Sequence, residues 1–359
     1  MQGGARGAAP EVETFQKLLS TEMLWATPPQ QCMGHADTII DSGIMKSEFS
    51  KHFGVQDNLL FANAGSHLTL PTYVDANNEC THPDVIDFGS GTTWNSYRYW
   101  MAMTPYTNSD NQYENPSILA SNDNSTWVVP GALTNPIDPD PGAPTIWNAD
   151  TDIVYDPVGD QLICYWKEQD SGRELNVCMR IVYMTSSDGE TWSRRSEAIT
   201  WTNIVSPAVV RRSATDWRMF SIHGDSTVQT NKMQLRTSTN GTTWAAPIDI
   251  NWPFGEYVPW HVDVIWSDDL SQYLAVVAAW PGGSDHESTR LLFSSSPDGT
   301  NWKTGRLEIM NLGGTSDWDN FKFYRTSLQN TDRKIKLWYS AQEDSATGDW
   351  HIGYTELAI

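Results

Sequence analysis

Short runs in which apolar and polar residues alternate recur from residue 82 to the C-terminus, and they come in pairs separated by turn residues. A period of two over such a length marks a half-buried strand. The pairs are 82–88 with 98–104, 151–155 with 161–167, 205–211 with 217–222, 261–266 with 272–279, and 322–328 with 334–341. After each of the first four pairs a further short run ends in a seven-residue string: Ser121-Asn122-Asp123-Asn124-Ser125-Thr126-Trp127, Ser186-Ser187-Asp188-Gly189-Glu190-Thr191-Trp192, Ser238-Thr239-Asn240-Gly241-Thr242-Thr243-Trp244 and Ser296-Pro297-Asp298-Gly299-Thr300-Asn301-Trp302. Asp-Gly and Asn-Gly supply residues that tolerate positive φ, so each string predicts a hairpin turn. The closing Trp is placed to fold its ring back over that turn.

The four strings recur roughly every 50–65 residues, which makes the repeating unit one four-stranded sheet, and radial repetition of such sheets builds a propeller. A last set, 322–328, 334–341 and 351–357, has three runs and no such string. It predicts a fifth blade lacking its outer strand. An unpaired edge invites aggregation, and the extended segment 58–70, with Leu59-Leu60-Phe61 and Leu68-Thr69-Leu70, is the expected donor. The fold class expected is therefore all-β: a five-bladed β-propeller over 58–359, with a short, partly helical N-terminal extension over 1–57. Helical spacing is found within that extension at 11–25 and 45–53.

Composition supports a turn-dense β fold, with 18 Trp, 25 Gly and 19 Pro. The formal charge of −21 argues against nucleic acid or an anionic membrane surface as partner. Neither a secretory signal nor a membrane-spanning run is read in the chain. Four cysteines are too few and scattered for a disulfide scaffold; Cys164 and Cys178 fall on expected neighbours and are read as free thiols in preference to a bond. No Cys or His spacing suggests a structural zinc site, and no cofactor is expected.

In a propeller the first strand of each blade faces the axis. The polar residues at those positions are His82 and Asp84, Asp150 and Asp152, Ser206, His261 and Asp263, and Tyr324 and Arg325. Asp84, Asp152, His261, Asp263 and Arg325 are expected to converge in a central funnel. That cluster either binds a saccharide or a cation, with Trp260, Trp147 and Trp100 as faces for sugar rings, or is a solvated polar plug.

His82-Pro83-Asp84 and Asp152 resemble the carboxylate positions of the five-bladed propeller glycosidases, the arabinanase, xylosidase and fructosidase relatives. That resemblance implies Asp84 as base, Asp152 as helper and a general acid on the third blade. The third blade reads Val205-Ser206-Pro207-Ala208 there, leaving Glu114 of the first blade or Asp263 to supply the acid. The turn strings are similar to the Asp-boxes of sialidases, one residue shorter, which carry no catalytic implication. Strings such as Tyr99-Trp100-Met101-Ala102, Tyr113-Glu114-Asn115-Pro116-Ser117 and Trp260-His261-Val262-Asp263-Val264 resemble the propeller proteins of tailed-bacteriophage virions. This second resemblance implies a non-enzymatic adhesion module in the virion. Its propeller would bind a cell-surface glycan through His82, Trp100, Trp260, His261, Asp263 and Arg325, and residues 1–57 would anchor it to other virion proteins; a homo-oligomer is compatible with it. The expectation taken forward is the virion module, with the glycoside hydrolase as its alternative.

Overall fold

The alternating runs form antiparallel sheets because each hides one face of its pleat against the next blade. The computed structural model describes residues 61–74, 78–139, 141–225, 230–345 and 348–358. Blade I contains β1 (Cys80–Asp87), β2 (Tyr99–Pro105) and β3 (Ser117–Ser121). Blade II contains β4 (Ile146–Asp156), β5 (Gln161–Asp170), β6 (Met179–Ser186) and β7 (Ser196–Thr202). Blade III is built from β8 (Ile204–Ser213), β9 (Asp216–Asp225), β10 (Thr230–Ser238) and β11 (Ile248–Asp249), and blade IV from β12 (Tyr257–Ser267), β13 (Gln272–Pro281), β14 (Arg290–Ser296) and β15 (Lys303–Glu308). β16 (Lys322–Thr331), β17 (Lys334–Gln342) and β18 (Trp350–Ala358) make blade V. The expected all-β five-bladed propeller is the fold found. The two helices expected within 1–57 lie outside the described residues.

The core consists of separate wedges between neighbouring blades. Trp100 and Ile118 of blade I meet Ile153 and Trp166 of blade II, and Leu337 and Tyr339 of blade V pack with Leu274 and Phe293 of blade IV. The wedge between blades V and I closes the ring: Trp338 packs with Met101 and Leu119 and donates its indole N–H to Asn124 Oδ1 at 2.9 Å. At the same seam Asp87 of blade I is ion-paired to Arg98 of its own blade at 2.8 Å and to Lys336 of blade V.

Each turn string follows the third strand of its blade. In blade IV the Ser296 Oγ accepts the Gly299 amide at 2.8 Å and Asp298 Oδ1 accepts the amides of Thr300 and Asn301, both at 2.8 Å. Trp302 donates its indole N–H back to Gly299 O at 2.9 Å. Trp127 and Trp192 close their turns in the same way. Gly189 is required at its turn for two reasons: its φ is +77°, and a Cβ there would come within 2.1 Å of the Trp100 ring of the preceding blade.

Blade I departs from the four-strand expectation. Only Val128 pairs with Ala120 where an outer strand was expected. The chain beyond runs through Pro130, Pro136, Pro139, Pro141 and Pro144, which lack the N–H a ladder needs. Among the described residues no outer strand forms on blade V either. The described part of the expected donor still lies along blades IV and V: the Phe61 amide donates to Ile309 O at 2.9 Å and the Leu68 amide to Ile352 O at 2.8 Å. Phe61 and Leu70 are buried there, and the His67 ring stacks on His351 at 3.8 Å.

Candidate functional site: a two-tiered ring on the propeller axis

Each first strand carries a bulge near its start, between Thr81 and Asp84, Ala149 and Asp152, Val205 and Ala208, Pro259 and His261, and Phe323 and Thr326. A bulge bends the strand and re-aims a side chain. His82, Asp150 and Ser206 occupy matching positions in it with φ of 54°, 54° and 55°, a left-handed conformation costly for residues other than glycine and typical of sites held under strain. In sequence, the matching positions read His82-x-Asp84, Asp150-x-Asp152, Ser206-x-Ala208, His261-x-Asp263 and Arg325-x-Ser327. Two rings of side chains result, one tier nearer the strand starts and one below it.

The lower tier ties the blades together. Asp84 Oδ2 accepts the Ile153 amide of blade II at 2.5 Å, Asp152 accepts the Val209 amide of blade III at 3.2 Å, and Asp263 accepts the Leu328 amide of blade V. Ser327 completes the circle, its Oγ accepting the Val85 amide at 2.9 Å and donating to Asp84 Oδ1 at 3.0 Å. Blade III has Ala208 at this level, and the Val264 amide that it leaves without an inter-blade acceptor turns to Asp263 Oδ1 at 2.8 Å. Burial raises all three carboxyl groups above their ordinary range, and repulsion from Asp84 adds to it at Asp152 and at Asp263, which is pushed up to about 8. Arg325, itself 1 % exposed, crosses the axis to Ser206 Oγ at 3.1 Å and Pro207 O at 2.6 Å, and its guanidinium stands 3.8 Å from Asp152.

The upper tier is chemically different. His82 Nε2 and Asp150 Oδ1 are 3.0 Å apart, and His261 Nδ1 is 3.7 Å from the same oxygen. One ligand atom from each of the three residues lies within 4.8 Å of the others. All three residues are sealed from solvent, yet His82 Nε2, Asp150 Oδ1 and both ring nitrogens of His261 lack a partner in hydrogen-bonding geometry. Buried polar atoms left in this state are rare and need an explanation. Burial lowers both histidines below their ordinary value, so the imidazoles are neutral. For Asp150 the upward push of burial is outweighed by the charged surroundings, Lys167 first, and its carboxyl ends well below the usual range. Two neutral imidazoles and one carboxylate with lone pairs converging on one point form a donor set for a divalent first-row cation.

The surroundings support that reading. His82 Nδ1 is 2.9 Å from Thr104 Oγ1 and 3.4 Å from Glu114 Oε1, so a proton there leaves Nε2 its lone pair toward Asp150. A carboxylate or hydroxyl on the far nitrogen of a histidine is the usual way its metal-binding nitrogen is oriented. Lys167 Nζ, 3.4 Å from Asp150 Oδ2, holds the carboxylate from the other side. Above the set, Tyr324 lies 4.3 Å from the His261 ring and 5.0 Å from that of His82, and Trp260 stands 4.7 Å from Tyr324.

Asp84, Asp152, His261, Asp263 and Arg325 thus do converge on the axis, and Glu114 reaches it from blade I. The structure divides them between tiers, however, giving Asp84, Asp152 and Asp263 to inter-blade bonds and Arg325 to the cross-axis contact. Trp100 requires a correction: its ring is fully buried between blades I and II, against Trp94 at 5.1 Å and Tyr97 at 5.6 Å, and presents no face to the funnel. Lys167 and the pairing of Asp150 with His82 and His261 escaped the sequence reading. The repeated x-spaced pair was the available signal, since aligning the five first strands on it places Asp150 beside the two histidines.

No family model matches the chain. It is 29% identical over 379 aligned residues to the A type blood N-acetyl-alpha-D-galactosamine deacetylase of Flavonifractor plautii, an alignment covering 87% of this chain and 48% of that protein. The chain thus spans about half the length of this curated relative. A crystal structure of an N-acetylgalactosamine deacetylase from F. plautii, in complex with blood group B trisaccharide, superposes with a TM-score of 0.74 at 26% identity, over 83% of this chain and 95% of that one. More distant structures share the fold: a GH43 protein of Bacillus licheniformis (TM-score 0.55, 14% identity, 81% of this chain and 52% of that one) and a GH62 hydrolase in complex with xylotriose (0.56, 12%, 82% and 96%). These likenesses overturn the expectation of a non-enzymatic bacteriophage virion module. The relatives are carbohydrate-directed enzymes, and the strings taken for virion signatures are parts of a glycosidase-like propeller: the second strand of blade I, the loop into its third, and the first strand of blade IV.

Proposed function

We propose that this chain is a carbohydrate-directed hydrolase that removes the acetyl group from an N-acetylated amino sugar, with His82, Asp150 and His261 holding a divalent cation. One observation carries the reading: buried ring and carboxylate atoms of those three residues, without hydrogen-bond partners, converge in the upper tier of a propeller similar to a deacetylase. When bound, such a cation polarises an amide carbonyl and lowers the pKa of water. The reaction adds water oxygen to the acetyl carbon and breaks the C–N bond, releasing acetate and the sugar amine, which takes up the proton. Glu114 and Thr104 fix the His82 ring, Lys167 keeps Asp150 charged and in place, and Tyr324 with Trp260 screens the tier from bulk water. Glycosidic cleavage is the weaker reading, because Asp84 and Asp152 are committed to backbone amides and Ala208 stands where the resemblance implied a general acid.

The test is acetate release from an N-acetylgalactosamine-terminated oligosaccharide. Activity should be removed by a chelator, restored by manganese or zinc, and reduced at least a hundredfold in His261→Ala, with one equivalent of metal bound to the wild type and far less to the variant. Reducing-sugar release without acetate would replace this reading with the glycoside hydrolase, and chelator-insensitive acetate release would remove the cation from it.

A further inference from the structure

Beside the axial site the chain builds a second concavity of about 360 Å³. One wall is the loop after β2, with Asn108, Asp110, Asn111 and Gln112; the other is the start of β4, with Ile146 and Trp147. Both walls run directly into the upper tier. The loop ends at Glu114, which contacts His82, and β4 reaches Asp150 three residues after Trp147. At the rise of a strand, roughly 3.3 Å per residue, Trp147 is about 10 Å from Asp150 along the chain, the reach of a neighbouring sugar unit. The walls are held together: Asn148 Nδ2 donates to Asn115 Oδ1 at 2.8 Å, and Asn115 Nδ2 donates to Gln112 O at 2.9 Å. Trp166 donates to Asn148 Oδ1 at 3.0 Å from behind. The concavity is therefore supported by buried amides and does not depend on the exposed loop alone.

Its lining states what fits. Amide side chains offer donors and acceptors in pairs, as sugar hydroxyls require. Trp147 is half-buried and offers an indole face to the C–H face of a pyranose. The volume falls at the small end of ligand clefts. No Lys, Arg or His lines the cavity, and Asp110 contributes a carboxylate. In a chain with a net charge of −21 this disfavours sialic acids, uronates and sulfated sugars.

We infer that this cavity is a subsite for the sugar adjoining the N-acetylated residue, selective for neutral oligosaccharides. The inference rests on the deacetylase reading for the identity of the adjoining residue, but not for binding itself. With the 359-residue chain, acetate release is measured on the methyl glycoside of N-acetylgalactosamine and on the blood group A trisaccharide. Binding of the trisaccharide and of a sialylated trisaccharide is followed separately by saturation-transfer NMR. The trisaccharide should be preferred, and Trp147→Ala should cut that preference about tenfold while Trp147→Phe keeps most of it and the melting temperature stays constant. A ratio within twofold of wild type in Trp147→Ala, equal binding of the sialylated compound, or no binding of the neutral one at millimolar concentration overturns the subsite. Binding that is weakened by Trp147→Ala, but without acetate release in the wild type, sustains the subsite and refutes the deacetylase reading.

Discussion

Arg325→Met is the substitution that most sharply separates a structural role of the Arg325 guanidinium from a ligand-binding one. The Arg325 guanidinium is buried, donates to Ser206 Oγ and Pro207 O in blade III, and lies 3.8 Å from Asp152. Methionine preserves the stem volume and removes the charge and both bonds. Deleting one member of a buried, hydrogen-bonded charged set costs about 3–5 kcal/mol, because Ser206 Oγ and Pro207 O lose their donor and Asp152 its cationic neighbour. For a domain of this size a loss of about 4 kcal/mol lowers the melting temperature by roughly 10 °C. Urea unfolding followed by far-UV circular dichroism measures it, and the double variant Arg325→Met with Asp152→Asn supplies the control. Removing the carboxylate as well should return about 1–3 kcal/mol, the coupling expected of groups in contact. If Arg325→Met unfolds within about 1 kcal/mol of wild type, or if the second substitution returns nothing, the guanidinium is not the clasp across the axis. Its sequence-level assignment as a ligand-binding residue would then be the better account.

The four turn tryptophans are not equivalent. Trp302→Ala, which removes a buried ring stacked on Trp252 at 3.8 Å, should cost about 4 kcal/mol, and half-buried Trp244→Ala about 1–2 kcal/mol; equal losses in denaturant titrations would contradict the packing argument. His351 is pushed down to about 4, first by burial and then by His67, from an ordinary 6.5. The unfolded chain therefore binds the proton that the folded chain refuses between those values, so stability is full above pH 6.5 and falls by about 3 kcal/mol as the pH drops to 4. His351→Phe should flatten that part of the pH–stability curve, and an unchanged slope would assign the acid sensitivity elsewhere. Phe61→Ala should cost about 3 kcal/mol because the ring is 2 % exposed among residues of blades IV and V; a thermally silent substitution would mean that the segment before blade I does not brace the ring.

Most of the fold was legible because its determinants are local. An Asp-Gly turn with a Trp four residues after the Asp writes its own hairpin into seven positions, and period-two alternation marks the strands that flank it. What escaped was set by contacts between blades or by irregular backbone. The left-handed bulge at Asp150 aims that carboxylate at His82, 68 positions away, and no propensity of the residues around Asp150 encodes the aim. Trp100, expected as a face for a sugar ring at the funnel, has its ring covered instead by the turn of the next blade at Gly189. The missing outer strand of blade I follows from prolines that were visible, but their effect depends on which edge the ladder would have used.

On the deacetylase reading, the difference between the tiers also accounts for a glycosidase-like fold that carries a different chemistry. In both readings carboxylates from successive first strands meet on the axis, and fold alone decides that meeting. Chemistry is decided by which oxygens remain unengaged. Asp84, Asp152 and Asp263 spend theirs on amides of neighbouring blades, so protonating or deprotonating them during turnover would strain the ring that holds the site together. One turn of the pleat higher the imidazoles are neutral, with Nε2 of His82 and both nitrogens of His261 left without a hydrogen bond, and Asp150 between them is charged. A propeller that uses its lower carboxylates as mortar leaves its upper tier available for a cation. On the same reading Ala208 leaves one inter-blade tie unmade, and Arg325 reaches into blade III beside it.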